Sequence, residues 1–297
     1  MTRWDGIEEF VAVDSHGSFA GGAKALGLST SHVSRAVARL ENRIQAQLFF
    51  RTTRKVTLTD TGRALVEQFR KIIQDRDDAL DAIGAAGEPR GELRITCSTA
   101  LGERFVAPIV RKFAVESPDL HVTIELTNRV VDLVAEGFDL AVRTGQLTDS
   151  RLIGSRIASR RLYLCGSPAY LDRHGRPETI ADLADHQCLI GTANVWHFQV
   201  NGSDHVFRPQ GRWRCNSGAA VVHAALADMG LCQLPEFYVL PYIANGSLNT
   251  LLDDVRADDE PIWAVYPQRR HLLPKVRNIV DRLRAELGPA LSGAKSC

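Results

Sequence analysis

Residues 18–60, SFAGGAKALGLSTSHVSRAVARLENRIQAQLFFRTTRKVTLTD, decide how the chain is read. Ser18 can cap a short helix carrying Phe19, Ala23 and Leu26 on one face, because a serine hydroxyl accepts the N–H groups that a helix start leaves open. Gly27 ends it, since glycine takes the left-handed conformation of a tight helix–helix turn without steric cost. Ser29, or a hydroxyl just beyond it, then caps a second helix whose inner face is Val33, Val37 and Leu40. The small Ala23 and the branched Val33 let two short helices cross closely. The spacing predicts a helix-turn-helix in which His32, Ser34, Arg35, Ala36 and Arg39 of the second helix face outward.

Charge points the same way. Residues 20–58 hold Lys24, Arg35, Arg39, Arg43, Arg51, Arg54 and Lys55 against a single acid, Glu41, in a chain whose formal net charge is +1. A basic patch confined to one small segment, with the remainder charge-balanced, is the footprint of phosphate contacts.

The flanks complete a domain. Trp4, Ile7, Phe10, Val11 and Asp14 recur at helical spacing and predict a first helix bracing the other two. After Leu48-Phe49-Phe50, the stretch RTTRKVTLTD reads as a two-stranded wing, with Arg51 and Arg54 near its tip placed to reach the DNA backbone or a minor groove. Thr59 or Asp60 then caps a long helix from about residue 61 to 83. Leu65, Phe69, Ile72 and Ala79 follow one seam on it, interrupted by Arg76, and a seam of that kind predicts a dimer contact. The plainer alternative is packing on the helix's own domain.

At 297 residues the chain is too long for one DNA-binding module, and two or three domains are expected. No run of about twenty apolar residues exists, so no membrane span is predicted. The N-terminus MTRWDGIEEF lacks the apolar core of a signal peptide, and a cytoplasmic protein is expected. Six scattered cysteines without a CxxC pair read as reduced thiols, so no metal and no cofactor is expected.

The segment GAAGEPRG, residues 84–91, reads as a hinge, and beyond it the pattern changes to alternating strands and helices. Strands are predicted over 92–97, 121–126 and 139–143, with a helix carrying Phe105, Ile109, Val110 and Phe113 between the first two and a short helix over 130–136. A second α/β part begins at Arg161, with a helix over 218–227, a strand over 230–234, a return strand over 262–266 and a closing helix from Pro274 to Leu287. This is a mostly parallel α/β pattern in two lobes, and ligands in such folds sit at the carboxyl ends of strands beside helix N-termini. Ser98 and Thr99 on one lobe, and Asn216 and Ser217 on the other, occupy such junctions; residues 194–198 could line the same cleft. Each hydroxyl could equally be only a helix cap.

Together these parts resemble a LysR-type bacterial transcriptional regulator over essentially the whole length. The resemblance rests on F10-V-A-V with G17-S-F-A, L26-G-L-S, V33-S-R-A-V-A-R-L-E41 and L48-F-F-R-T-T-R-K-V-T-L-T. SPAYLDRHGRPETIADLADH (167–186), A264-V-Y-P and K275-V-R look like a subgroup containing virulence and metabolic regulators. It implies DNA contacts at Thr30, Ser31, Ser34, Arg35 and Arg39, with Arg51 and Arg54 in the wing. It also implies an effector cleft at Ser98, Thr99, Asn128, Thr144 and Gly145 of the first lobe and around His197, Phe198, Asn216 and Ser217 of the second. Gly22 stands where alanine is usual, and Ile44-Gln45 where leucine-glycine is usual.

The resulting expectation is a multidomain α+β chain. A winged helix-turn-helix spans residues 1–60, and a linker and dimerisation helix with its hinge spans 61–90. A two-lobed, periplasmic-binding-protein-like α/β domain spans 91–297, with lobe I at 91–160 and 267–297 and lobe II at 161–266. The expected partners are double-stranded promoter DNA, a polar or anionic small-molecule effector and further copies of the chain as dimers or dimers of dimers, with RNA polymerase a candidate. Two other classes compete, a solute-sensing protein without DNA and an α/β enzyme. No HExxH, GxSxG, P-loop or paired-acid constellation supports the enzyme, and Cys97 reads as buried packing.

Overall fold

Ser18 accepts a hydrogen bond from the Gly21 N–H at 3.0 Å, Gly27 turns at φ 66°, and Ser29 accepts from the His32 N–H at 3.2 Å. These three local events set α1 (Ile7–Ser15), α2 (Phe19–Leu26) and α3 (Thr30–Ile44). The computed structural model describes residues 4–51, 56–83, 88–145, 152–270 and 273–293, and divides into compact units Met1–Ala85 and Ala86–Cys297.

In the first unit, β1 (Phe49–Arg51) pairs antiparallel with β2 (Val56–Leu58), and α4 (Asp60–Ile83) follows. Phe10, Val13, Ala23, Val33, Val37, Leu40, Leu48 and Phe49 form the core, with Phe10 5.1 Å from the Phe49 ring and edge-on to Phe69 at 6.0 Å. Ala36, expected to face outward, is buried instead. The chain before α1 crosses over it so closely that a Cβ on Gly6 would meet the Ala36 carbonyl at 2.5 Å.

Thr59 is the residue that starts α4: its hydroxyl accepts from the Gly62 N–H at 2.9 Å and donates to the Gln47 carbonyl at 2.6 Å. The expected seam on this helix is split. Leu65 and Phe69, with Ile73, lie against the core of their own domain, while Ile72 is 40% exposed. Arg76 pairs with Glu8 and Asp77, and Arg70 with Asp14 and Glu67, so α4 is also fixed by ion pairs to α1. The Ala79 side chain lies outside the described residues.

In the second unit, β3 (Gly91–Cys97) leads into one helical turn, α5 (Thr99–Leu101), then a π-helical segment (Gly102–Val106) and α6 (Ala107–Glu116). Next come β4 (Leu120–Leu126), β5 (Leu140–Thr144) and β6 (Leu152–Arg160). The second lobe contains β7 (Leu162–Gly166), α7 (Pro168–His174), β8 (Leu189–Ile190), β9 (Trp196–Val200), β10 (Ser203–Phe207), β11 (Trp213–Arg214) and α8 (Gly218–Leu226). It continues with β12 (Cys232–Pro235), α9 (Glu236–Ala244) and β13 (Asn249–Leu251) before the chain returns through β14 (Glu260–Pro267) to α10 (Pro274–Gly293).

The sheets are less parallel than expected. Lobe I has strand order β4-β3-β5-β14-β6, in which β14 runs antiparallel to both neighbours; the lobe II sheet, β12-β7-β13, is wholly antiparallel. The return strand therefore belongs to lobe I, which corrects the placement of 262–266 in lobe II. Strand β6 had no counterpart in the sequence reading. The expected helix over 130–136 is a single turn. Asp132 Oδ1 accepts from the Val134 and Ala135 N–H groups, and Gly137 at φ 73° closes the turn as the Phe138 N–H reaches the Leu133 carbonyl.

Candidate nucleic-acid interface and inter-lobe cleft

Helix α3 presents Thr30, Ser31, His32 and Arg35 as exposed residues, with Ser34 and Arg39 half-buried. Its three arginines have different surroundings. Arg39 donates to both carboxylate oxygens of Asp5, and Arg43 donates to the Asp5 carbonyl at 3.1 Å. The Arg39 guanidinium holds the Asp5 carboxyl below its usual range, so the pair is ionic. Arg35 donates through Nε only to the Ser31 carbonyl one turn back, at 3.2 Å, and meets no acid among the described residues. His32 Nε2 lies 3.7 Å from a Glu9 carboxylate oxygen. Arg51 ends β1, its side chain not described, and Arg54 lies outside the described residues. Among the described residues α3 thus offers hydroxyls, small side chains and an arginine without an acidic partner near its start, a combination suited to a DNA groove.

Between the lobes of the second unit lies a cavity of about 690 Å³. Ser98, Asn128, Thr144, His197 and Asn216 line it, as expected from the sequence. Thr99, Gly145, Phe198 and Ser217 do not line it, and each has another task. The Thr99 N–H donates to Asn128 Oδ1 at 3.1 Å, the Gly145 carbonyl accepts from Trp263 Nε1 at 2.8 Å, Phe198 is buried in the lobe II core, and the Ser217 hydroxyl caps α8. Asn128 also donates to the Asn216 carbonyl at 2.8 Å and so ties the two lobes across the cleft. Nearby, Arg104 donates to the Phe237 carbonyl at 2.6 Å, and the Phe105 and Phe237 rings meet at 5.3 Å.

Sequence reasoning missed Arg143, Arg160, Gln233, Tyr238 and Glu260, all of which line the cavity. Arg160 pairs with Glu260 at 2.7 Å and donates to the Thr144 hydroxyl at 3.1 Å. Gln233 grips the His197 backbone at both ends, accepting from its N–H at 3.1 Å and donating to its carbonyl at 3.0 Å. Arg143 is half-buried and donates to the Thr96 hydroxyl at 2.8 Å and the Val142 carbonyl at 3.3 Å. On the neighbouring strand β3, burial pushes the pKa of the Cys97 thiol up to about 12, which keeps the sulfur neutral and unreactive. The available signal was the period of β5, which puts Arg143 on the same face as Ala141.

Residues 4–63 match the model of the bacterial regulatory helix-turn-helix protein, lysR family, and residues 86–288 match the LysR substrate binding domain. The chain is 31% identical to the HTH-type transcriptional activator AaeR of Escherichia coli K12 over 288 residues, covering 95% of this chain and 93% of that protein. To the HTH-type transcriptional regulator DmlR of the same strain it is 32% identical over 284 residues, covering 94% and 92%. Among solved structures, CrgA, a LysR-type regulator from Neisseria meningitidis, aligns with TM-score 0.57 at 30% identity, covering 97% of this chain and all of that one. The full-length Vibrio cholerae virulence activator AphB aligns with TM-score 0.60 at 25% identity over 96% of this chain. With a helix-turn-helix presenting an unopposed arginine and a two-lobed domain enclosing a polar cleft, both matched along their length, the chain belongs to the LysR family of transcriptional regulators, DNA-binding proteins governed by small-molecule effectors rather than enzymes.

Proposed function

We propose that Arg35 is the centre of operator recognition. The observation that carries this reading is its exposure on α3 without an acidic partner among the described residues, one turn after the hydroxyls of Thr30 and Ser31. Ser34 and His32 flank it, Arg39 is available once Asp5 releases it, and Arg51 and Arg54 supply phosphate contacts from the wing. In the second unit the cleft takes a small effector, held by Ser98, Asn128, Thr144, His197 and Asn216. Ile72, exposed on α4, is the apolar residue we assign to pairing between copies, and dimers or dimers of dimers would set the spacing of two recognition helices. One relative is named an activator, and an activating role here would include contact with RNA polymerase in the cytoplasm.

Arg35→Ala tests the reading by fluorescence anisotropy on the DNA upstream of the chain's own gene. Loss of a base contact weakens specific binding by about 1–3 kcal/mol with fold and oligomeric mass intact. Unchanged affinity across a salt series rejects it.

A further inference from the structure

Lobe II distributes its charge unevenly. Residues 161–259 contain seven arginines and no lysine. Arg161, Arg173 and Arg256 pair with Asp259, Asp228 and Asp253, and Arg176 donates to the Thr250 carbonyl at 2.6 Å. The other three, Arg208, Arg212 and Arg214, are exposed and make no ion pair among the described residues. All three fall within a run, from His205 to Ala227, that holds no acid.

The backbone beneath these arginines is pinned. Pro209 is buried, the Gln210 carbonyl accepts from the Cys188 N–H at 3.0 Å, and a Cβ on Gly211 would meet the Cys188 carbonyl oxygen at 2.1 Å. Trp213 and Arg214 then pair in parallel with Leu189 and Ile190, and the Cys215 N–H donates to the Ile190 carbonyl at 2.9 Å. Arg208 stands at the base of the β9–β10 ribbon, just past the Phe207–Trp196 pair. Arg214 donates to Asn194 Oδ1 at 2.6 Å, two residues before Trp196, which brings it to the same end of the ribbon. Apolar surface accompanies the charge: Trp213 is 36% exposed, and Val206 on β10 is 49% exposed. Arginines held on a rigid backbone lose less conformational freedom when they bind.

We propose that this face of lobe II, formed by Arg208, Arg212, Trp213 and Arg214, is a docking surface for an acidic segment of another protein. The guanidinium groups receive carboxylates of that segment, which their planar forks match by two parallel bonds, and one of its apolar side chains rests on Trp213. Charge complementarity sets the sign of the partner, since no acid of the run answers these three cations. The indole decides for a protein over duplex DNA. A phosphate backbone gives it no apolar seat, whereas tryptophan beside arginine is the composition of protein hot spots. The surface is separate from the cleft, because none of these four residues lines it.

The test is fluorescence anisotropy of the full chain with a labelled acidic peptide carrying leucine and phenylalanine, against one of equal length and charge with serine in their place. Saturable binding of the apolar peptide is expected, tighter than that of the serine control. Arg208→Glu with Arg212→Glu is expected to weaken it about tenfold or more. The thermal midpoint of this variant should not move, because neither side chain has a hydrogen bond or ion pair among the described residues. Arg208→Gln with Arg212→Gln, which removes charge without adding acid, should weaken binding as well, by less. Trp213→Ala should abolish the difference between the two peptides. No binding at millimolar peptide, equal affinity for both peptides, or affinity unchanged by the paired substitutions overturns the proposal. Binding lost in Arg35→Ala overturns it too, by seating the peptide on α3. The paired variants are also expected to keep operator affinity, salt slope and particle mass. Weaker binding to duplex DNA would make DNA the occupant, and a smaller particle would make this face a contact between copies; either result overturns the proposal.

Discussion

Arg39 and Asp5 meet in a two-point contact across 34 positions of sequence, with Nε 3.0 Å from Oδ2 and Nη2 3.3 Å from Oδ1. An acid is thereby placed beside the middle of α3, the helix proposed above to approach DNA. It neutralises one arginine of that helix, a cation that would otherwise be available to phosphate under the proposed docking. Asp5→Asn is expected to tighten binding to all DNA and to steepen log K against log salt by about 0.9, one further phosphate contact. An unchanged slope in anisotropy titrations would show that Arg39 stays away from the backbone even when released.

Helix α4 separates two roles that its sequence mixes. Phe69 packs edge-on against Phe10, whereas Ile72, three residues on, is exposed. Phe69→Ala is expected to destabilise the first unit by about 2–3 kcal/mol, below the full cost of deleting a wholly buried ring. Ile72→Asp is expected to leave the melting midpoint alone and reduce the particle mass in light scattering. A native mass for Ile72→Asp would place the contact between copies elsewhere.

Asn128 bonds to Thr99 on its own lobe and to Asn216 on the other. Asn128→Ala should cost about 1 kcal/mol, since part of the site is open to water that replaces the lost partner. The sharper readout is hydrogen exchange. The Thr99 amide, protected by the Asn128 side chain, is expected to exchange faster in the variant, and unaltered protection would mean that the side chain is not what shields that amide.

Lobe II carries an acid-sensitive group. The Tyr170 oxygen accepts from the Gln187 N–H at 2.9 Å, and its own proton can then go to His186 Nδ1, 3.2 Å away, when that ring is neutral. Burial, with His174 nearby, lowers the His186 pKa, while Asp185 and Asp182 oppose the shift. The unfolded chain therefore takes up this proton first, near the ordinary value of about 6.5. The contribution of His186 to stability is present above that pH and is lost as pH falls below it toward the folded value. Thermal midpoints should drop on acidification from neutral pH to about 5.5, less steeply in His186→Gln. Parallel slopes would assign the sensitivity to another group.

The elements that sequence revealed are those whose causes are local. Ser18, Gly27 and Ser29 each act within four residues, and each was placed correctly. The segment 130–136 deceived because Val130, Val131 and Val134 around Asp132 imitate a capped amphipathic helix, yet Gly137 closes it after one turn. Arg143 escaped notice for the opposite reason. Its position at a strand end is ordinary, and its place in the cleft lining depends on Thr96 of a neighbouring strand, whose hydroxyl accepts from it. Thr99 and Ser98 look equivalent in sequence; only Asn128, 29 positions away from Thr99, decides that the Thr99 amide is closed to a ligand.

The pairing of β6 with β14 sets Arg160 directly opposite Glu260, with their side chains joined at 2.7 Å. These two residues mark where the chain leaves lobe I and where it returns. In topological terms β6 and β14 are the arms of one interrupted hairpin, and the whole of lobe II is an insertion at its tip. Both connections leave from the paired ends of these two neighbouring strands, so the covalent links between the lobes lie side by side. Excision of residues 161–259 and closure with a two-residue type I′ turn would leave the five strands of lobe I in their present order.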